Sequence, residues 1–320
     1  MSGAQTDDER ILEELRPRAF AIAYRMLGSV AEAEDVVQEA LLRLHRALEA
    51  GERIESPKAY LATVVTRLAI DELRSARARR ERYVGEWLPE PLLASEEDDP
   101  AQHAEIADSL SLAFLVLLES LSPEQRAVLL LRDVFDYPYR EVAEIVGKSE
   151  PAVRQLATRA RRRVDEGAPR FETSREQRER LASRFFAAVE RGDLGGLESL
   201  LAEDVELHGD GGGKAPALAR PVHGRARVAR TLGAWARAAA RFGGFSLDPV
   251  TVNGQPGAVI RDPGGGLINV MALEIVDGRI GAVRSVVNPD KLRHIGRPAD
   301  LQELMRRASA GPGDPPGKSV

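Results

Sequence analysis

Arg154, Gln155, Thr158, Arg159 and Arg162 follow one another closely enough to share one helix face. Their chemistry is recognition: a guanidinium forks onto a guanine edge or a phosphate, and a glutamine amide matches an adenine. Wound at 3.6 residues per turn, Gln155, Thr158 and Arg162 centre one stripe, flanked by Arg154 and Arg159. Val153, Leu156, Ala160 and Val164 form the opposite, apolar one. Residues 151–164 hold five arginines and no acid. A solvated basic helix end would share that composition. A helix packed on one stripe, with the other facing a DNA groove, is the reading that the rest of the chain favours. Groups for bond chemistry are sparse by contrast. There is no cysteine, and the five histidines are scattered. Asp210, His208 and His223 are the acid–base candidates near one loop, and nothing in the sequence pairs them. That loop, Asp210-Gly211-Gly212-Gly213-Lys214, lacks the Gly-x-x-x-x-Gly-Lys-Ser/Thr spacing that wraps phosphates. Its glycines point to positive φ or close approach of a neighbour, or to a plain surface turn. No metal or cofactor is expected.

The elements that must hold these residues are mostly helical. Residues 139–146 and 151–164 read as two short helices joined at Gly147, a helix-turn-helix. Before them, Ser122-Pro123-Glu124-Gln125 starts a helix over 123–132, with a capping box closed by the glutamine. Ser29-Val30-Ala31-Glu32 is another capping box. After it Ala33, Val36, Val37, Ala40, Leu41, Leu44 and Leu48 repeat with helical spacing, and the outer face carries Asp35, Gln38, Glu39, Leu42 and Arg46. Leu42 on a polar face suits a protein partner as well as a stray surface leucine. Ser56-Pro57 opens a further helix, whose buried stripe is Leu61, Val64, Val65 and Leu68. Its far side holds Thr63, Arg67, Ile70, Arg74 and Arg77, a cationic face suited to a nucleic-acid backbone.

Between residues 82 and 108 the periodicity fails, prolines recur and the acidic run Glu96-Glu97-Asp98-Asp99 appears. Trp87 and Leu88, Leu92 and Leu93 in that linker should dock on something. After Gly167-Ala168-Pro169 helices are expected at 175–191, 194–201 and 225–241. Strands are expected at 205–208, 245–252, 257–261, 267–276 and 280–287, with Asp277-Gly278 as a hairpin turn.

A chain of 320 residues has room for two or three domains. Its formal charge of −5 looks wrong for a DNA binder, but the charges are segregated: arginines crowd 74–82 and 154–163, acids crowd 35–39 and 96–99. Such a chain should bind DNA poorly alone and better when another protein delivers it. No apolar run approaches the ~18 residues of a membrane span, so a cytoplasmic chain without membrane contact is expected.

An acidic-faced helix, a basic helix, a linker and a helix-turn-helix, in that order, resemble a bacterial RNA polymerase sigma factor of the extracytoplasmic-function (ECF) group. Residues 33–40 (Ala-Glu-Asp-Val-Val-Gln-Glu-Ala) resemble the polymerase-binding helix of region two. Tyr60-Leu61-Ala62-Thr63 through Ala69-Ile70-Asp71-Glu72-Leu73-Arg74 resemble its −10 segment. Leu121-Ser122-Pro123-Glu124-Gln125-Arg126, with Tyr139-Arg140-Glu141-Val142-Ala143, resembles region four, which reads the −35 element. The rear half is similar to the SnoaL-like, NTF2-type cone, helices followed by a curved antiparallel sheet. Trp87-Leu88-Pro89-Glu90-Pro91, Asp210-Gly211-Gly212-Gly213-Lys214 and Asn288-Pro289-Asp290-Lys291-Leu292 match the SigJ-like subgroup that carries this fusion. The chain departs from the family where Glu150-Pro151-Ala152-Val153 replaces the usual Gly-Thr-Val opening of the recognition helix.

The resemblance implies region two over 1–82, a linker over 83–108, region four over 109–168, a SnoaL-like domain over 175–295 and a tail over 296–320. It implies core polymerase on Asp35, Gln38, Glu39 and Leu42, and −10 DNA on Tyr60, Thr63, Arg67, Arg74 and Arg77. The −35 DNA falls to Arg154, Gln155, Thr158, Arg159 and Arg162. It also implies a non-enzymatic chain regulated in cis, in place of a separate anti-sigma protein, by a rear domain lying against the front ones. A tethered domain meets its partner at roughly millimolar effective concentration. The three subgroup segments (87–91, 210–214 and 288–292) would form that contact. The alternative is a SnoaL-type enzyme or small-ligand sensor with a transcriptional front end.

Overall fold

The computed structural model describes residues 2–80, 83–94, 109–165, 174–241 and 243–310, with the side chains of 2–9, 76–80 and 307–310 left aside. The acidic run at 96–99, the Gly167-Ala168-Pro169 boundary and the Arg77 side chain lie outside the described residues. The chain divides into two compact units, residues 1–82 with 113–168, and residues 83–112 with 169–320. The linker segment that precedes the helix-turn-helix thus folds with the rear unit. No described helix is long and apolar enough to cross a membrane.

The first unit is all helical. α1 (Ser2–Leu27), α2 (Val30–Glu49) and α3 (Pro57–Arg80) form a bundle. Ser29 caps α2 by accepting from the Glu32 N–H at 3.2 Å, and Ala33, Val36, Val37, Ala40 and Leu44 are buried as the spacing predicts. On α3 Leu61, Ala62, Val65, Thr66, Ala69, Ile70 and Leu73 are buried, while Val64 and Leu68, expected in that stripe, are half-buried. Ile70, expected on the outer face, is 6% exposed because α3 also packs against the helices that follow.

α4 (Leu112–Leu118), a helix of about two turns that was not expected from the sequence, leads to α5 (Pro123–Leu129), which opens with both halves of the Ser122–Gln125 capping box. The helix expected over 123–132 stops at Leu129 and widens into a π turn at Leu130–Val134, closed by Phe135 N–H on Leu130 C=O at 3.0 Å. The extra residue in that turn keeps both Leu130 and Leu131 buried. α6 (Tyr139–Val146) ends on Gly147 at φ 66°, a left-handed cap that glycine adopts without a Cβ clash. α7 (Glu150–Asp165) follows.

In the second unit, α8 (Arg175–Arg191) and α9 (Leu194–Leu200) precede β1 (Leu201–Asp210), β2 (Val222–His223) and α10 (Arg225–Ala240). Then come β3 (Ser246–Val252), β4 (Gln255–Arg261), β5 (Leu267–Val276), β6 (Arg279–Val286), α11 (Pro289–Leu292) and α12 (Leu301–Ala310). The strands form one sheet in the order β2-β1-β6-β5-β4-β3. The expectation of an all-antiparallel sheet needs correction, since β1 runs parallel to β6. The long connection between them, with α10 and four strands, gives the chain room to return in the same direction. Two hairpins turn on pairs of positive-φ residues, Asp277-Gly278 as expected and Asn253-Gly254 between β3 and β4. Phe185, Phe186, Leu197, Val205, Val228, Leu232, Met271 and Val283 fill the space between helices and sheet.

Candidate polymerase, DNA and linker sites

On α7 the polar stripe lies where the helical wheel predicts, whereas in the apolar one Leu156 and Val164 are only half-buried and Ala157 joins the core. Val153, Ala157 and Ala160 are fully buried, while Arg154, Gln155, Thr158, Arg159 and Arg162 are exposed. The helix begins one residue before Pro151 and ends one after Val164, so it is bounded by acids. Glu150 in the first turn accepts from Arg154 at 2.6 Å, and the Arg154 guanidinium also lies over the Tyr139 ring, 4.3 Å from its centroid. Arg161, outside the candidate set, is held by Asp133 at 2.5 Å, whose hydrogen bond raises its pKa further. The face therefore presents arginines of two kinds, those propped by acids and aromatic rings and those such as Arg159 that lie in solvent.

On α2, Asp35, Gln38 and Leu42 are exposed, Leu42 by 40%. Half-buried Glu39 accepts from Arg43 at 2.7 Å. These four positions form a mixed acidic and apolar patch. The α3 face is differently disposed. Tyr60 and Thr63 are half-buried, and the Thr63 hydroxyl donates to Ala59 C=O at 2.8 Å. Arg67 donates to Ile145 and Glu144 C=O at 3.0 and 3.1 Å, satisfying carbonyls that the end of α6 leaves without helical partners. Arg74 bridges Glu124 at the start of α5, at 2.6 Å. Burial pushes Glu124 up, but the hydrogen bond from Arg74, a backbone hydrogen bond and the charges of Arg74 and Lys148 outweigh it and hold that carboxyl below the ordinary range.

In the rear unit the three glycine- and proline-bearing segments converge on Asp210. Its side chain is completely buried. It accepts from the Tyr83 hydroxyl at 2.5 Å, from the Leu88 N–H at 2.8 Å and from Lys291 Nζ at 2.6 Å. Lys291, 6% exposed, also donates to Leu88 C=O and lies 4.2 Å from the centroid of the Trp87 ring. Burial first, then the hydrogen bond and charge of Asp210, push the Tyr83 phenol well above its ordinary pKa, so it stays a donor. Asn288 donates to the same phenol oxygen at 2.8 Å, and Lys214 bridges Asp290. Gly212 and Gly213 take φ of 58° and 70°. A Cβ on Gly212 would stand 2.2 Å from Asn288 Nδ2 and one on Gly213 would stand 3.0 Å from Val84, so both glycines are needed for shape and for clearance. Pro89 and Pro91 are buried, Glu90 half-buried.

The linker continues along the sheet edge. Leu92 N–H donates to Asn253 Oδ1 and Asn253 N–H to Leu92 C=O, at 2.9 and 2.8 Å, and Ala94 N–H donates to Thr251 C=O at 3.0 Å. The Asn253 amide reaches Leu110 C=O at 3.0 Å. His294 meets Pro91 C=O at 2.8 Å, and Glu86 meets His208 at 2.7 Å. Tyr83, Glu86, Asn253 and His294 escaped the sequence reading. Only the Asn253-Gly254 pair carried a local signal, that of a hairpin.

A helix-turn-helix with a cationic outer stripe, beside a bundle whose α2 bears an acidic and apolar patch, defines a transcription factor with an appended α+β cone. Three family models match in chain order: sigma-70 region 2 over residues 11–79, sigma-70 region 4 over 111–164 and a SnoaL-like domain over 182–280. The ECF RNA polymerase sigma factor SigJ of Mycobacterium tuberculosis (strain ATCC 25618 / H37Rv) is 41% identical over 87% of this chain and 91% of its own length. The probable ECF sigma factor SigI of M. tuberculosis (strain CDC 1551 / Oshkosh) is 34% identical over 86% and 92%. The crystal structure of M. tuberculosis SigJ aligns with a TM-score of 0.69 at 37% identity, over 88% of this chain and 96% of that one. The chain belongs to the ECF RNA polymerase sigma factors.

Proposed function

We propose that this sigma factor docks on core polymerase through Asp35, Gln38, Glu39 and Leu42, and reads −35 DNA with Arg154, Gln155, Thr158, Arg159 and Arg162. The −10 strand falls to Tyr60, Thr63, Arg67, Arg74 and Arg77. The observation that carries the DNA assignment is the division of α7 into a buried stripe of Val153, Ala157 and Ala160 and an exposed polar one. For polymerase, charge at Asp35 and Glu39 steers the encounter and Leu42 adds apolar contact. Arg67 and Arg74 are engaged by α6 and α5, so −10 binding competes with those contacts.

Regulation acts in cis, without a separate anti-sigma protein. The rear unit holds the linker that joins the two DNA-reading regions, through Asp210 and Lys291 at one end and Asn253 at the other. That unit works as a holder and not as an enzyme. Asp210, a wholly buried carboxylate, is engaged by the linker, and the described residues that line the cavity against the sheet are uncharged.

Run-off transcription with core polymerase tests the reading. Reversing charge at Asp35 and Glu39 is expected to abolish holoenzyme assembly, and unchanged core binding would overturn that assignment. Arg159→Ala is expected to relax preference at one −35 position, a bidentate arginine–guanine pair being worth about 1–3 kcal/mol of discrimination. Equal weakening on every sequence would make Arg159 a phosphate contact.

A further inference from the structure

One face of the sheet is not completely filled. Strand register sets Ile260 opposite Asn269, Met271 opposite Ser285, and Ser285 beside Gly209, so these positions share one face. With α10 above them and Leu301 and Met305 of α12 at one side, they wall a cavity of about 190 Å³. Trp235 and Met305, 37% and 48% exposed, stand among the lining side chains.

Three features decide what would enter. Size comes first: a protein cavity of about 150 Å³ lined by aliphatic groups takes up benzene, so the space here suits one substituted ring. Charge comes second. Among the described residues no lining side chain is ionisable, so a carboxylate or ammonium would lose its hydration without a charged partner from them. The third is Asn269, 5% exposed, whose Nδ2 donates to Ser285 Oγ at 2.9 Å while its Oδ1 is buried without a hydrogen-bond partner. Natural interiors rarely leave such an acceptor unmet. A hydroxyl answers it, and would equally answer the opposite orientation of the amide, since an O–H both donates and accepts.

We propose that this cavity is a binding site for a small neutral phenol or cyclic alcohol, about one ring in size, whose hydroxyl pairs with Asn269. The site lies within the rear unit and stands apart from the promoter and polymerase assignments. Its failure would leave those untouched, and theirs would leave it standing.

Methionine methyl groups give a direct readout, because of the chain's four methionines Met271 and Met305 line the cavity and Met26 is buried in the helical unit. The full chain labelled at these methyls is titrated with phenol, with toluene as its isostere lacking the hydroxyl, and with benzoate. Met271 and Met305 are expected to shift saturably with phenol while Met26 stays fixed. Phenol should bind about tenfold tighter than toluene, the worth of one buried hydrogen bond, and benzoate should not bind. Asn269→Leu should remove the preference for phenol and keep toluene binding. Ala238→Trp, at an exposed position of the cavity wall, should abolish both while the Met26 signal remains native. Equal affinity for phenol and toluene, survival of the preference in Asn269→Leu, or no response of Met271 and Met305 to either would overturn the proposal.

Discussion

Asp210 and Lys291 form a buried ion pair that also carries the linker backbone, and its energetics follow from that double duty. Each charge is desolvated, at 0% and 6% exposure, and each is repaid by more than one partner: Tyr83 and Leu88 N–H for the carboxylate, Leu88 C=O and the Trp87 ring for the ammonium. Removing one member strands the other in a low dielectric, at about 3–5 kcal/mol. Lys291→Met should therefore destabilise the rear unit by about that amount, and Asp210→Asn combined with it should recover part of the loss, because no uncompensated charge remains. The chain's two tryptophans, Trp87 and Trp235, both lie in this unit, so urea unfolding followed by their fluorescence reads it alone. Additive losses in the double variant would mean that the two residues act independently.

The elements differ in how far local sequence specified them. α6 and α7 lie within a residue of their expected limits, because the signals are local: Gly147 in the left-handed cap, Pro151 in the first turn, and a stripe of Val153 and Ala160. The β5–β6 turn at Asp277-Gly278 is local in the same way. The parallel pairing of β1 with β6, the π turn after Leu129 and the burial of Ile70 depend on residues distant in sequence, and no periodicity encodes them. The docking segments were legible as odd composition, tryptophan and leucines in a linker and three glycines in a loop, but their meeting point at Asp210 was not.

The same long-range logic gives the α3–α5 contact a pH dependence. Glu124 is held below its ordinary pKa, so its contribution is fully present above the unfolded value of about 4.3 and is lost as pH falls through the lower folded value. Wild type should thus lose its advantage over Glu124→Gln only in that acid window, read as the difference in urea midpoints by circular dichroism. A difference that is constant from pH 7 to 3 would remove Arg74–Glu124 as its source.

Across the whole molecule the linker decides how the two DNA-reading regions are tethered. Described residues 83–94 are pinned at Tyr83, Leu88, Leu92 and Ala94, and Leu110 is pinned again just before α4. A linker so held has a shorter free span, and the effective concentration of one region near the other follows that span. Deleting everything after about residue 175 frees the whole segment and should change run-off output strongly at a fixed promoter. Ending the chain after Leu292 spares Asp210 and Lys291 but removes His294 from Pro91 C=O, and removes α12, whose Gln302 reaches Lys214 C=O. That shorter truncation is therefore expected to raise output, to a level between those of the full chain and the long truncation. Lys291→Met in the full chain should shift output in the same direction, since it loosens the same segment from within. Identical output from the full chain and both truncations would leave the rear unit without a regulatory role, however firmly it grips the linker.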